Sequence, residues 1–198
     1  IVTPALAVVT PLIRAHNLPK ILPEVERGLE FFDLTWWVVH DALYAQGAPN
    51  PEPPAGWADE HHWIRYLSRW VPGRGGERMQ NWLLERLPAD TWWWGLADDN
   101  LPTPGAFEAL RHAADGGAEI VVFPMDHSSG HLSAKPDAVS PGNIDGGQVA
   151  FKVGTVGDLR WEDVYCPDGV FLSKLLRRTG VARWWCLVAP TLRYNALR

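Results

Sequence analysis

Two aspartates and an asparagine directly follow a strongly apolar stretch of the chain. Residues 91–97 read TWWWGLA, and Asp98, Asp99 and Asn100 come next. Adjacent carboxylates repel each other, so keeping both ionised requires a cation or strong hydrogen bonds. A few oxygen ligands, completed by water and a diphosphate, suit Mg²⁺ or Mn²⁺. The cluster therefore predicts a divalent cation that would neutralise a departing nucleotide diphosphate, although Asp and Asn are also common in plain turns and helix caps.

The elements at the start of the chain follow a β-α-β pattern. Residues 5–10 (ALAVVT) form an apolar run that ends at Pro11, which is typical of a buried strand. Asn17 can cap a helix whose apolar positions recur every three or four residues. Residues 35–41 (TWWVVHD) form the next buried strand. This order implies parallel strands in one sheet.

Further strands and helices alternate along the rest of the chain. Thr103 and Pro104 mark the start of one helix, and another begins near Asp168. The remaining predicted segments are a short helix or strand within 57–71, a helix through 81–87, and strands at 91–97, 118–125 and 184–189. No internal repeat or linker divides the sequence. We therefore expect one α/β domain over residues 1–198, with a mostly parallel central sheet flanked by helices.

The acidic residues fall at strand ends, where open parallel sheets bind their ligands. Asp41 ends one central strand, and the cluster at 98–100 follows another. We therefore expect these side chains to share one cleft beyond the carboxyl ends of the strands.

The overall composition excludes several classes of partner. The formal net charge is −5 and the arginines are scattered, which disfavours nucleic-acid binding because phosphate contacts need concentrated Lys and Arg. The apolar start is interrupted by Pro4 and Pro11 and is too short to span a bilayer.

Cys166 and Cys186 lack the spacing of a zinc site or a disulfide framework. A reducing compartment and a cytoplasmic location are the simplest interpretation.

Five segments occur along the chain in a recognisable order. They are 8–42 (VVTPLIRAHNLPKILPEVERGLEFFDLTWWVVHDA), 74–81 (RGGERMQN), 96–111 (LADDNLPTPGAFEALR), 143–151 (NIDGGQVAF) and 165–172 (YCPDGVFL). Together they resemble glycosyltransferases with the A-type (GT-A) fold, and the animal glucuronyltransferase family has the nearest pattern. The resemblance implies a Rossmann-like GT-A domain. It also implies metal-dependent, inverting transfer of a sugar from a UDP-sugar to a hydroxyl of a carbohydrate acceptor.

The resemblance also implies roles for individual residues. Asp99, together with Asn100, would hold the Mn²⁺ or Mg²⁺ cofactor. The residues expected to contact the nucleotide are Thr10, Pro11, Arg14, Asp41, Arg74, Arg78 and Asp98. The wall facing the transferred sugar would be formed by Asp145, Gly146, Gly147 and Gln148.

Asp168 is the residue expected to act as catalytic base. An inverting transfer needs a carboxylate within hydrogen-bond reach of the acceptor hydroxyl, although Asp168 could also cap the helix that it begins. Unlike the family pattern, residues 189–195 (APTLRYN) contain no histidine after the last strand. A neutral hexose is therefore as compatible with the sequence as glucuronic acid. His127 and His131 could face the cleft and replace that histidine, although histidines in polar loops are usually solvated.

Two other functions remain open from the sequence. A sugar-nucleotide nucleotidyltransferase also uses an α/β sheet and acidic metal ligands. It normally has a glycine-rich, lysine-bearing loop after the first strand, and residues 10–18 contain neither residue type. A non-catalytic carbohydrate-binding domain is the other possibility, because some of the 12 tryptophans could form a surface on which sugars stack.

Overall fold

The computed structural model of the protein describes residues 2–40, 56–67, 77–127, 130–132, 135–188 and 192–197. Its strands are Ala5–Leu12 (β1), Asp33–His40 (β2), Ile64–Leu67 (β3), Trp92–Gly95 (β4), Leu101–Pro102 (β5), Ile120–Val122 (β6), Met125–His127 (β7), Gly130–Leu132 (β8), Val149–Lys152 (β9), Trp184–Cys186 (β10) and Leu192–Arg193 (β11). Its α-helices are Leu18–Glu26 (α1), Trp57–Glu60 (α2), Glu77–Leu84 (α3), Ala106–Asp115 (α4), Val153–Val156 (α5) and Pro167–Thr179 (α6).

Within these ranges, a seven-stranded sheet forms the centre of the molecule, with the strand order β10-β6-β9-β4-β1-β2-β3. β1 pairs in parallel with β2 on one side and with β4 on the other, as predicted for the first β-α-β unit. β9 runs antiparallel to both of its neighbours, β4 and β6. The sheet is therefore mostly parallel, and the α/β class predicted from the alternation of elements is confirmed.

The predicted strand at 118–125 is divided between two sheets. β6 belongs to the large sheet, whereas β7 joins a smaller sheet with the order β5-β11-β7-β8 in the described part of the chain. Pro124 has no N–H to donate to a ladder, and the N–H of Phe123 donates to the carbonyl oxygen of Gln148 at 2.7 Å. The prediction of one continuous strand is therefore wrong. Strand β9 was not predicted, because its four residues carry no distinctive pattern.

Of the two predicted helix caps, Thr103 is wrong and Asn17 is right in position only. The N-cap of α4 is Gly105 rather than Thr103, and no side chain closes that helix start. Asn17 is the N-cap of α1, but its side chain makes no capping hydrogen bond. Its Nδ2 instead donates to the carbonyl oxygen of Asp98 at 3.0 Å. Asn17 is fully buried, and this hydrogen bond links the start of α1 to the loop after β4.

The tryptophans of β4 divide between the two faces of the large sheet. Trp92 and Trp94 pack into the cluster that contains the buried side chains of α1 and α4. Trp93 belongs to the opposite cluster, which contains those of α3 and α6. This alternation follows from the two-residue period of a strand. It explains why a continuous apolar run at 92–94 is compatible with a sheet covered on both faces.

Among the described residues, no helix combines the length and apolar character that a membrane span requires.

We predict that Phe107→Ala strongly destabilises the fold. Phe107 is 1% exposed, and its ring meets that of Trp94 edge to face with centroids 5.1 Å apart. Removing a buried phenyl ring leaves a cavity and costs about 3–5 kcal/mol of unfolding free energy, which urea unfolding measures. The control Leu29→Ala removes a side chain that is 40% exposed and should have a much smaller effect. Equal losses for the two variants would contradict this account of the core.

Candidate functional site

The side chain of Asp98, a residue expected to contact the nucleotide, joins the ends of β1 and β4. Its Oδ2 accepts hydrogen bonds from the backbone N–H groups of Ile13 at 2.6 Å and Arg14 at 2.5 Å. Its Oδ1 forms an ion pair with Nη1 of Arg14 at 2.7 Å. The residue is only 2% exposed, and buried charge of this kind requires such partners. Asp98 therefore fixes the loop between β1 and α1.

Asp99 and Asn100 are buried beside this junction. Oδ2 of Asp99 lies 3.3 Å from Nη1 of Arg14, so one guanidinium bridges both aspartates. Oδ1 of Asn100 accepts a hydrogen bond from the N–H of Asn195 at 2.9 Å. Its Nδ2 lies 3.5 Å from Oδ1 of Asp145. The repulsion between adjacent carboxylates is thus offset by Arg14 in this structure.

The segment 192–197 closes over the loop that carries this cluster. The N–H of Leu197 donates to the carbonyl oxygen of Asp99 at 3.1 Å, and Nδ2 of Asn17 lies 3.4 Å from the carbonyl oxygen of Leu197. Asn195 has a left-handed backbone with φ of 50°. Within the described chain, its buried Oδ1 has no hydrogen-bond partner. A buried acceptor without a partner is costly, so this oxygen is available to a ligand.

The turn that leads into β9 presents Asp145. Oδ1 of Asp145 accepts a hydrogen bond from the N–H of Gly147 at 2.8 Å, and its own N–H donates to Oε1 of Gln148 at 3.1 Å. The indole Nε1 of Trp94 donates to the carbonyl oxygen of Gly147 at 2.7 Å. A Cβ at Gly147 would lie 2.9 Å from Cδ2 of Leu192, so glycine allows the turn to pack closely against β11. The turn is therefore anchored to β4 and to β11.

Asp168 lies in the first turn of α6 and faces the Asp145 turn. Its Oδ2 accepts a hydrogen bond from the N–H of Gly146 at 3.2 Å, and its Oδ1 accepts one from Nε1 of Trp161 at 3.1 Å. The N-cap of α6 is Cys166, and no side chain caps this helix. A Cβ at Gly146 would lie 2.8 Å from Oδ2 of Asp168. Glycine at 146 thus permits the carboxylate to approach the backbone.

A cavity of about 110 Å³ opens between these elements. Its lining residues are Pro11, Gln80, Gly95, Leu96, Ala97, Asp145, Gly146, Gly147, Pro167 and Asp168. Two carboxyl groups therefore face one cavity at the carboxyl end of the central strands, and these lining residues include no Lys or Arg. This is the position at which α/β sheets bind ligands.

Both cavity carboxyls hold protons more tightly than an exposed aspartate does. Burial, reinforced by the nearby charge of Asp168, raises the pKa of Asp145 to about 7, and the charge of Asp99 adds to the effect. Burial also raises the pKa of Asp168, while the hydrogen bonds from Trp161 and Gly146 act in the opposite direction. Because Nδ2 of Asn100 lies 3.5 Å from Oδ1 of Asp145, the cavity adjoins the Asp98–Asn100 cluster.

Some of the residues predicted to contact the nucleotide or the sugar line the cavity, whereas others lie in the core. Pro11 lines the cavity together with Gly146 and Gly147. Thr10 is fully buried in the core, and its hydroxyl accepts a hydrogen bond from Nε1 of Trp36 at 2.9 Å. Gln148 is also fully buried, with Nε2 3.3 Å from the carbonyl oxygen of Phe123. The side chains of Thr10 and Gln148 therefore lie in the core rather than at the cavity wall.

Several other predicted residues lie away from this cavity or outside the described ranges. Arg78 is exposed on α3 and is not a lining residue. The ring of His127 packs on Tyr194 with centroids 4.9 Å apart. Asp41, Arg74 and the side chain of His131 lie outside the described residues.

Three residues of the candidate site were not predicted from the sequence. Gln80 lines the cavity, Trp161 contacts Asp168, and Asn195 contacts Asn100. Gln80 lies inside the segment RGGERMQN, so its position in that motif was an available signal. Asn195 lies in the segment 189–195, where the family pattern has a histidine, so its position was also a signal. Trp161 carried no signal, because tryptophan is usually a core residue.

The donor chemistry around Asp99 fits a hard divalent cation. The Asp99 carboxylate and Oδ1 of Asn195, which has no hydrogen-bond partner within the described chain, are oxygen donors of the kind that Mg²⁺ and Mn²⁺ prefer. Among the described residues, no group of three or more His, Cys, Asp and Glu side chains is arranged to hold a metal ion. The donor set is therefore small, as in sites where substrate phosphates and water complete the coordination.

Solved structures similar to this chain are glycosyltransferases. A mannosyltransferase from Pyrobaculum calidifontis, in complex with GDP-Man and Mn²⁺, aligns with a TM-score of 0.63 and 18% identity over 96% of this chain. Glucosyl-3-phosphoglycerate synthase from Mycobacterium tuberculosis, in complex with Mn²⁺, UDP and glucosyl-3-phosphoglycerate, aligns with a TM-score of 0.62 and 16% identity over 96%.

The solved proteins are longer than the present chain. The chain spans 55% of the mannosyltransferase and 71% of the synthase. No protein-family model and no curated protein matches the sequence. At these identities the likeness concerns the fold, which is the Rossmann-like GT-A fold expected from the five ordered segments.

The raised pKa of Asp145 predicts a pH-dependent stability. Its pKa is about 7 in the folded protein and close to 4 in an unfolded chain, so the folded state binds this proton more tightly. The free energy of unfolding should therefore fall as the pH rises from about 4 to about 7, with this group contributing at most about 1.4 kcal/mol per pH unit.

Asp145→Asn removes this titration and keeps an acceptor for the N–H of Gly147. The variant should gain unfolding free energy relative to the wild type as the pH rises through the same window. Urea unfolding at about pH 4.5 and about pH 7.5 measures the difference. The prediction fails if the difference between variant and wild type is the same at both pH values.

Proposed function

We propose that the protein is a glycosyltransferase that moves a sugar from a nucleoside diphosphate donor, a UDP-sugar, to a hydroxyl of a carbohydrate acceptor. The observation that carries this proposal is the pair of carboxyls, Asp145 and Asp168, facing one cavity beside the Asp98–Asn100 cluster. The same fold in solved neighbours holds GDP-Man or UDP together with Mn²⁺. The proposal thus rests on the chemistry of this cavity as well as on the fold.

Asp168 is the residue that we propose as the general base. It lines the cavity, and its two hydrogen bonds leave acceptor capacity on the carboxylate. Burial raises its pKa, which makes the carboxylate a stronger base than an exposed aspartate. In the proposed inverting step, the acceptor oxygen bonds to the anomeric carbon while its proton passes to Asp168. The bond between that carbon and the diphosphate breaks, and the diphosphate leaves with the electron pair.

Arg14 and the oxygens near Asp99 would receive the leaving diphosphate. A guanidinium pairs well with phosphate oxygens, and the side chain of Arg14 is 29% exposed. Asp99, with the amide oxygens of Asn100 and Asn195 nearby, would hold a Mn²⁺ or Mg²⁺ ion. When bound, that ion would supply positive charge to the diphosphate.

The alternatives left open by the sequence receive less support. Of the tryptophans that the structure describes, Trp185 is the most exposed, at 38%. The others contribute to the core or are partly buried, so the described residues do not form a broad tryptophan surface for sugars. We therefore favour an enzyme over a carbohydrate-binding domain.

Calorimetry with UDP and turnover of UDP-glucose test the proposal. We expect UDP binding that requires Mn²⁺ and disappears after chelation. Asp99→Asn should weaken this binding at least about tenfold, whereas the exposed control Asp90→Asn should leave it unchanged. Asp168→Asn should bind UDP normally but lose about 100-fold or more in kcat.

Three outcomes would contradict parts of this proposal. Absence of both UDP and GDP binding would exclude a nucleotide-sugar enzyme. Glycan binding without turnover of any donor, unaffected by Asp99→Asn, would favour a binding domain. Turnover of a nucleoside triphosphate with a sugar phosphate would favour a nucleotidyltransferase.

The charge of the cavity predicts an uncharged donor sugar. Asp168 and, once ionised, Asp145 face the cavity, whose described lining includes no basic side chain. A uronic acid would therefore add a further negative charge to this cavity. Like charges about 5 Å apart repel by roughly 3 kcal/mol at an effective dielectric constant of about 20. We therefore expect kcat/KM for UDP-glucose to exceed that for UDP-glucuronic acid by at least about tenfold. The proposed donor differs in this respect from that of the glucuronyltransferases.

Asp145→Asn provides the internal check on this explanation. Removing one charge should reduce the ratio of kcat/KM for UDP-glucose to kcat/KM for UDP-glucuronic acid. The exposed control Asp90→Asn should leave this ratio unchanged. A wild-type protein that prefers UDP-glucuronic acid would overturn the electrostatic argument and leave the glycosyltransferase proposal intact.

A further inference from the structure

Trp161 is restrained by contacts to its backbone, its ring and its indole nitrogen. Asn81 of α3 contacts the main chain of Trp161 twice, with Nδ2 donating to the carbonyl oxygen at 2.9 Å and Oδ1 accepting from the N–H at 2.8 Å. The two residues are 80 positions apart. One amide side chain thus satisfies both backbone groups of Trp161, as a neighbouring strand would.

The indole ring is fixed against the helix that carries Asp168. It stacks on Phe171 of α6, with ring centroids 3.9 Å apart and an interplanar angle of 8°. The ring of Trp93 packs nearby at 5.5 Å. Trp161 is 6% exposed, so neither its backbone nor its ring is free to reorient. Its Nε1–H is consequently directed at Oδ1 of Asp168, 3.1 Å away.

This hydrogen bond restrains how the Asp168 carboxylate is presented. With Oδ1 bound to Trp161, the second oxygen, Oδ2, meets the N–H of Gly146 at 3.2 Å in the cavity wall. The ionisable side chain that faces Asp168 across the cavity is Asp145, and α3 contributes the uncharged side chain of Gln80. None of the described lining residues offers Asp168 a cation. The N–H donors of Trp161 and Gly146 therefore orient its carboxylate.

We propose that Trp161, fixed by Asn81, is a positioning residue that holds Asp168 in its reactive orientation and stabilises its carboxylate form. This inference rests on the proposed function, in which Asp168 is the base. Trp161 acts through Asp168 and does not itself contact the reacting atoms. A hydrogen bond to a charged group is among the stronger ones in proteins, so its loss should be measurable in turnover.

Trp161→Phe removes the N–H donor and keeps an aromatic ring to stack on Phe171. We expect kcat to fall about tenfold or more, with the donor KM changed less than about threefold. The midpoint of the acidic limb of the kcat–pH profile should move to higher pH, because the lost hydrogen bond favoured the carboxylate. Activity should therefore recover partly at alkaline pH, which would not happen if the substitution merely unfolded the protein. Asn81→Ala should move the same limb in the same direction by a smaller amount.

Trp184→Phe is a matched control. Trp184 is 7% exposed, and its Nε1 donates to Oγ1 of Thr179 at 2.9 Å, a contact that does not involve the cavity residues. This variant should retain the wild-type kcat and pH profile, although it loses a similar hydrogen bond. If Trp161→Phe also leaves kcat and the acidic limb unchanged while the wild type turns over donor, the positioning role is wrong and the proposed function stands.

Carboxyl NMR titration of Asp168 provides a readout that does not depend on turnover. The pKa of Asp168 should rise in Trp161→Phe and stay constant in Trp184→Phe. If no nucleotide sugar is turned over and this shift is present, the hydrogen bond is confirmed while the proposed function fails. An unchanged pKa in Trp161→Phe would overturn the inference.

Discussion

The burial of the Asp98 carboxylate is the constraint on which the candidate site depends. Asp98 is 2% exposed and takes hydrogen bonds from the backbone of Ile13 and Arg14 and from the Arg14 guanidinium. A charge at that depth is tolerated when its partners are in place, and removing one of them leaves the other uncompensated. The loop after β1 is therefore held against the end of β4. Asp99 and the closing segment 192–197 take their positions from this junction.

The acidic residues of the site differ in their partners, and this difference assigns them different chemistry. Asp98 and Asp99 share the Arg14 guanidinium. Asp145 and Asp168 face a cavity whose described lining includes no basic side chain. Their carboxylates accept hydrogen bonds from N–H groups of Gly146, Gly147 and Trp161. Burial raises the pKa of both carboxyls, and these N–H contacts only partly offset it. In the proposed function, the first pair would organise charge near the diphosphate, and the second pair would exchange protons with hydroxyl groups.

Tryptophans contribute hydrogen bonds to the site as well as volume to the core. Trp94 is fully buried against Phe107 and Phe123, and its Nε1 holds the carbonyl oxygen of Gly147. Trp161 stacks on Phe171 and directs its Nε1 at Asp168. Because packing already immobilises these rings, forming the N–H hydrogen bond costs little additional side-chain entropy. Core and site are therefore built from the same side chains, and Trp161→Phe separates the two roles because it keeps the ring.

The sequence by itself determined the α/β class, the parallel arrangement of the first strands and the presence of an acidic cluster after β4. These features follow from local patterns, because apolar periodicity and the handedness of β-α-β units act over neighbouring residues. Only the tertiary structure decided which partner each acid has. Arg14 meets Asp98 across 84 positions, and Asn195 meets Asn100 across 95. It also decided that β9 lies antiparallel between β4 and β6, because contacts between distant segments leave no periodic trace in the chain.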